Sequence, residues 1–243
     1  AVGVVGSDEV TVTVDGEKTD GGTDYTATAT ELAGADAANY TLSGTLTTTF
    51  EITEAAAGIY VATTGHDDTG DGTQGNPYAS IAKAITVAGQ GNTTIYVKDG
   101  TYVIGSRIDL TTSGKEIHIE GFSKDPTRVI LKATSERMFH NDGVYCEFKY
   151  LTFTTANSDI KNTVVLIKDG RISNCIFTNC KSSTGGNVFM TRDAVIENCL
   201  FYGNSGKAQC GQLYCIADGN TTGNPCVVNC TFVDSSGAGG VAM

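Results

Sequence analysis

A four-residue phrase returns along the second half of the chain: Tyr150-Leu151-Thr152-Phe153, Asn174-Cys175-Ile176-Phe177, Asn198-Cys199-Leu200-Phe201 and Asn229-Cys230-Thr231-Phe232. Its Phe residues are 24, 24 and 31 positions apart, which marks a repeat array. A unit this short cannot bury its own apolar face and has to stack on its neighbours. β-Branched and aromatic residues at strand positions, without a helical period, predict one turn of a β-solenoid per unit. A second phrase precedes the first: Val97-Lys98-Asp99-Gly100, Asn141-Asp142-Gly143, Ile167-Lys168-Asp169-Gly170, Thr191-Arg192-Asp193-Ala194 and Ala217-Asp218-Gly219. Asp and Gly suit a tight corner, so each coil is expected to hold a strand, an Asp-Gly corner and a second strand. The coils fall near 93–115, 116–138, 139–162, 163–187, 188–212 and 213–240, the last lengthened by a loop.

The first quarter differs in kind. Residues 1–54 hold ten acidic residues and one basic residue, a net of −9 out of the chain's −11. Ala55-Ala56-Ala57-Gly58 reads as a linker over 55–58. Before it, Glu9 to Gly16, Tyr25 to Thr30 and Tyr40 to Phe50 alternate with period two, which predicts a small antiparallel β domain. At about 50 residues such a domain is short of a self-sufficient core and is expected to continue upstream or lean on the solenoid.

Two resemblances follow from these residues. The stretch Tyr25-Thr26-Ala27-Thr28-Ala29-Thr30-Glu31-Leu32-Ala33-Gly34-Ala35-Asp36-Ala37-Ala38-Asn39-Tyr40-Thr41-Leu42 resembles the closing half of YDG/MBG-type β modules carried in tandem on large bacterial surface proteins and adhesins. Without the Tyr-Asp-Gly opening, the chain is expected to begin inside a longer protein. Ile59-Tyr60-Val61, Gly75-Asn76-Pro77-Tyr78-Ala79-Ser80-Ile81 and Thr94-Ile95-Tyr96-Val97-Lys98-Asp99-Gly100-Thr101-Tyr102 resemble the opening of pectate-lyase-like right-handed parallel β-helix proteins, and the likeness runs from 59 to about 240. It implies an all-β chain: a right-handed single-stranded parallel β-helix of about six coils over 59–243, behind a partial module over 1–54. It leaves activity open, because that superfamily includes polysaccharide lyases, glycoside hydrolases, adhesins and tail-fibre-like proteins.

Ser80 to Ala88 has apolar residues at helical spacing with Ser80 placed as N-cap, so a short helix is expected to cover the open edge of the solenoid. The other end, Gly239 to Met243, reads as the start of another coil, which makes a fragment or end-to-end self-association the expectation. No apolar run approaches the length of a membrane span, and a pI near 4.6 without a basic tract argues against nucleic acid. Acidic, Thr- and Gly-rich β modules point to an extracellular or cell-surface location.

The cysteines separate into two kinds. Cys175, Cys199 and Cys230 share one register with Leu151 and are expected to point inward as small apolar residues. Cys180, Cys210, Cys215 and Cys226 lie near corners or in the final loop, where one or two disulfides are expected in an oxidising compartment, with connectivity open. Asn174, Asn198 and Asn229 form a ladder whose side chains are expected to bond one another.

Lysis of a uronate polymer needs a base and a cation. Lys168 and Arg192, beside Asp169 and Asp193 on one outward edge, are the candidate catalytic set; the competing reading is a solvated corner ladder. Glu116, His118 and Glu120 alternate with Ile117 and Ile119 and are expected to face solvent, flanked by Tyr96 and Lys98. Asp67, Asp68 and Asp71 are the candidate calcium ligands, although they lack the spacing of an EF-hand loop. His140 is expected at the surface. The sequence reading therefore favours a non-catalytic segment of a cell-surface or secreted protein, in which the β-helix acts as stalk, adhesive or carbohydrate-binding surface. A polysaccharide lyase or glycoside hydrolase is the alternative.

Overall fold

The structure is a computed structural model and describes residues 6–16, 22–44, 46–52, 58–111, 114–141, 144–156, 160, 165–167, 169–183, 187–206, 212–215, 223–234 and 236–237. The chain divides into two compact units, Ala1–Ala56 and Ala57–Met243. The first holds an antiparallel sheet of Thr11–Asp15, Gly22–Ala33 and Thr47–Ile52, with the long strand in the middle. Its loops are tied by acidic side chains: Glu9 N donates to Asp36 Oδ2 at 2.9 Å and the Tyr40 hydroxyl to Asp8 Oδ2 at 2.6 Å.

The second unit is built from parallel sheets. Sheet I has seven strands: Ile59–Val61, Gly91–Val97, Lys115–Gly121, Tyr145–Lys149, Gly170–Ser173, Val195–Glu197 and Cys226–Val228. Sheet II has six, from Gly100–Ile104 through Val129–Ala133, Thr152–Thr155, Ile176–Thr178 and Leu200–Tyr202 to Thr231–Val233. Sheet III has five: Ile108–Leu110, Phe139–Asn141, Val165–Ile167, Val188–Met190 and Leu213–Cys215. From Gly91 onward the chain visits I, II and III in fixed rotation, joined from Lys181 by a fourth parallel sheet of Lys181–Ser182, Ser205–Gly206 and Ser236–Gly237 that follows sheet II, and the strands pair parallel with their equivalents in neighbouring rungs.

The repeated phrase sits where the sequence requires it. Phe153, Phe177, Phe201 and Phe232 are register partners, with ring centroids 4.6, 4.8 and 4.7 Å apart and planes within 17° of parallel. Leu151, Cys175 and Cys199 are buried just before them, and Cys230 packs against the same core. Amides cross the rungs beside this ladder, Ile176 N to Leu151 O at 2.9 Å and Leu200 N to Cys175 O at 3.0 Å.

The Asn ladder also sets the backbone conformation of a corner. Tyr150, Asn174, Asn198 and Asn229 have φ of 56°, 54°, 52° and 49°, so each turns the chain from sheet I to sheet II in the left-handed conformation that Asn tolerates best after Gly. The expected side-chain link is present at one step, Asn229 Nδ2 to Asn198 Oδ1 at 2.7 Å.

The Asp-Gly phrases do not share one corner. Asp99-Gly100 lies between sheets I and II, whereas Asp169-Gly170 and Asp193-Ala194 lie between III and I. Asp142-Gly143, Asp218-Gly219 and Lys168 lie outside the described residues. Gly170 has φ of +127°, and a Cβ there would fall 1.9 Å from Cys146 O, so that corner admits no side chain.

The predicted helix forms over Ile81–Val87, with the Ser80 hydroxyl accepting from Lys83 N at 3.1 Å and Ile81 and Ala84 buried. Among the described residues all cysteines are free thiols, which corrects the disulfide expectation for Cys180, Cys215 and Cys226; Cys210 lies outside them. The three point in different directions. Cys180 is fully buried with its Sγ 3.2 Å from Phe153 O, Cys215 continues the inward row of Met190, and Cys226 continues the outward row of Val195.

Replacing Phe177 by Ala removes a ring stacked on both faces and is expected to cost about 3–5 kcal/mol in urea unfolding. At Asn198 the left-handed backbone makes the order of substitutions informative. Asn198→Ala is expected to destabilise by about 1–2 kcal/mol and Asn198→Gly by less; the reverse order in the same measurement would contradict a left-handed corner.

Candidate functional site

The outer face of sheet I carries a dense arrangement of polar groups. Lys115–Gly121 alternates as expected: Ile117 and Ile119 are buried, and Glu116, His118 and Glu120 point outward. In the next rung Tyr145 lies beside Glu116, Glu147 beside His118 and Lys149 beside Glu120. Arg171 follows Glu147 and Glu197 follows Ser173. Two outward rows result, Thr94-His118-Glu147-Arg171-Val195 and Tyr96-Glu120-Lys149-Ser173-Glu197.

The rows are cross-linked by ion pairs. Glu147 Oε2 takes His118 Nδ1 at 2.8 Å and Lys149 Nζ at 2.9 Å. Arg171 Nη1 meets Glu197 Oε1 at 2.6 Å, and the nearby Tyr145 side chain interacts with Arg171 electrostatically. Glu147 is only 7% exposed although it faces outward, because its neighbours cover it. Burial pushes its pKa up, but the Lys149 and His118 hydrogen bonds and charges outweigh this and leave it below the ordinary carboxylate value. The hydrogen bond from Arg171 to Glu197 raises the guanidinium's pKa further. Tyr145 stands among these pairs, 40% exposed, with its ring 6.0 Å from His118. His118 Nε2 is buried and makes no hydrogen bond.

The residues singled out from sequence fall elsewhere. Arg192, with φ of 52°, turns the corner after sheet III and pairs through Nη1 with Asp169 Oδ2 at 3.2 Å, one circuit earlier. Asp193 Oδ1 accepts from Asn224 N at 3.1 Å, one circuit later. These contacts are those of a corner ladder. Of the two residues expected to flank Glu116, His118 and Glu120, Tyr96 is the register partner of Glu120, whereas Lys98 lies past the end of its strand and donates from Nζ to Gln74 O at 2.6 Å. His140 is half-buried and meets Asp109 Oδ1 at 3.0 Å, where Arg107 Nε also binds at 2.8 Å.

Asp67 is committed to the helix start. Its Oδ1 accepts from Ala79 N and Ser80 N, both at 2.9 Å, and its Oδ2 accepts the Ser80 hydroxyl at 2.6 Å. Asp71 Oδ1 holds Thr73 N at 2.9 Å within a turn. Asp67, Asp68 and Asp71 do not converge: among the described residues no group of three His, Cys, Asp or Glu side chains is placed to hold a metal ion.

Comparison with known proteins adds little to this geometry. No protein family matches the chain, and no curated protein matches it. Among solved structures it is similar to a rhamnogalacturonan lyase, with 17% identity over 76% of this chain and a TM-score of 0.41. A pectin methylesterase from Aspergillus niger shares 15% identity over 77% of this chain and 88% of its own, with a TM-score of 0.29. The chain spans 62% of the length of the lyase. Likeness at this level carries no argument about activity.

The Glu147 network has a pH signature. A carboxylate whose pKa is depressed on folding contributes stability that is present above its unfolded pKa of about 4.3 and lost as pH falls through the folded value. Glu147→Gln is therefore expected to lower the Tm at pH 7 and to flatten the fall in Tm below about pH 4.3. A Tm-against-pH curve identical to the parent's would show that Glu147 is not paired.

Proposed function

We propose that residues 57–243 form a closed right-handed parallel β-helix whose sheet I presents a non-catalytic carbohydrate-binding face. The fixed rotation through sheets I, II and III, with a short fourth parallel sheet after sheet II in the later rungs, supports closure. The hand follows from the strong right-handed preference of crossovers between parallel strands. The observation that carries the binding reading is Tyr145: an exposed ring held in a frame of ion pairs that are already formed, one of which fixes Arg171 beside it. An aromatic ring gives a sugar's C–H face an apolar platform, and the guanidinium and carboxylates around it offer hydroxyls donors and acceptors without reorganisation.

Lysis through Lys168, Arg192, Asp169 and Asp193 draws no support from the contacts of its described members, because Arg192 pairs with Asp169 and Asp193 holds a backbone amide. The N-terminal unit is read as a partial YDG/MBG-type module. An adhesive role outside the cell draws on its acidic composition and on no contact in the structure.

Calorimetric titration with neutral and uronate oligosaccharides tests this reading. Binding is expected, weakened about tenfold or more by Tyr145→Ala, the loss typical of an anchoring aromatic. Titrations silent for every sugar, or unchanged by Tyr145→Ala, would remove this face as the binding surface. Release of an unsaturated, ultraviolet-absorbing product from a uronate polymer would replace binding by lysis.

A further inference from the structure

The N-terminal end of the same outer face is aromatic where its centre is ionic. Tyr60 and Tyr96 are register partners preceding Glu120, with ring centroids 5.2 Å apart. Phe122, one residue past the end of Lys115–Gly121, stands edge-on to both, at 5.7 Å from Tyr60 and 6.0 Å from Tyr96. Its backbone is pinned by a bond from Phe122 N to Val97 O at 2.9 Å. Tyr60 is buried at 2% exposure, whereas Phe122 is 40% exposed. A large apolar ring is thus held outward on a rigid aromatic base, which a merely space-filling Phe would not need.

Phe122 borders an open cleft of about 390 Å³, lined also by Thr63, Gln74, Lys98, Asp99 and Ser123. The polar wall of this cleft is fixed in place. Lys98 Nζ is held by Gln74 O, and the Lys98 carbonyl accepts from the buried Tyr102 hydroxyl at 2.7 Å. Asp99 Oδ2 accepts from Arg128 Nε at 2.6 Å. A Ser123 hydrogen bond, followed by Arg128, keeps the Asp99 carboxyl below its usual pKa. Arg128 stands outside the lining and orients the Asp99 carboxylate, which faces the cleft as an acceptor for a sugar hydroxyl. Lys98 and Arg128 are balanced by Asp99 and by Asp125, which acts electrostatically on both members of the pair. The wall is neutral as a whole.

We infer that this cleft is a second sugar subsite, built for a neutral pyranose that lays its C–H face on Phe122 and donates a hydroxyl to Asp99, whose carboxylate Arg128 orients from outside the lining. The inference rests on the carbohydrate-binding reading of sheet I and extends it to a separate position: Phe122 follows the strand next to Tyr145's, six residues along from Glu116, the register partner of Tyr145. A polymer bound along the face would engage both, and the linkage between two weak subsites raises the affinity of the whole.

The test uses the full chain and three neutral probes, cellohexaose, mannohexaose and xylohexaose, read by calorimetry and saturation-transfer NMR. At least one probe is expected to bind; Phe122→Ala is expected to weaken it by about tenfold, Phe122→Tyr to retain it, and Arg128→Gln to weaken it by less. The thermal melts of the variants check that the fold is kept. Binding lost in Tyr145→Ala but untouched in Phe122→Ala and Arg128→Gln would overturn the subsite while leaving the sheet I reading in place. Binding that survives Tyr145→Ala and fails in Phe122→Ala would do the opposite. No binding of any of the three neutral probes overturns the subsite, and the uronate titration then decides the sheet I reading separately.

Discussion

A parallel, in-register ladder stacks equivalent positions of successive coils directly on one another, at the fixed strand spacing of about 4.8 Å. Every other feature of the second unit answers to that constraint. The Phe stack from Phe153 to Phe232 has centroids at 4.6 to 4.8 Å because the backbone ladder sets the distance, and the rings lie nearly parallel because each occupies the same position of its coil. A mismatched volume at one rung would leave a void or a clash against two neighbours at once. The same rule governs the corners, where Tyr150, Asn174, Asn198 and Asn229 each supply a left-handed turn. A coil that failed to turn there would carry its Phe out of the stack.

Outside the core the ladder works as a ruler. It brings His118 to Glu147, Arg171 to Glu197 and Arg192 to Asp169, pairs separated by 29, 26 and 23 residues in sequence. Exposed ion pairs of this kind are worth little stability, so their effect lies in geometry: they hold long side chains in one arrangement on a surface that cannot flex locally. Glu147 is the exception. Almost covered by its partners, it would become a costly buried charge if either were lost. Tyr145 and Phe122 are exposed rings on this stiff surface, and each is fixed by neighbours from adjacent rungs.

The parts of the fold that repeat were legible in the sequence. The Phe and Cys ladders follow from the spacing of one phrase, and the helix at Ile81–Val87 follows from Ser80 and the apolar period after it. The left-handed corners carry a signal beyond side-chain bonding, since Asn at three equivalent positions also marks positive φ. The polar face was hidden for a different reason. Ile95 and Ile119 are register partners 24 residues apart, whereas Ile119 and Phe148 are partners 29 residues apart. With coils of unequal length, Glu147 and Lys149 cannot be aligned to His118 and Glu120 by counting, although the alternation of Cys146-Glu147-Phe148-Lys149 already placed Glu147 outward. The Asp-Gly phrases misled in the opposite sense, because the same turn chemistry serves two different corners.

The most direct test of the register is a double-mutant cycle within the Phe stack, using Phe→Leu changes that keep the core apolar. Phe177 and Phe201, in contact at 4.8 Å, are expected to couple by about 0.5–1.5 kcal/mol, the worth of an aromatic pair. Phe153 and Phe232, with two rungs between them, are expected to be additive in the same unfolding experiment. Additivity for Phe177 and Phe201, or equal coupling for both pairs, would contradict the stacked ladder.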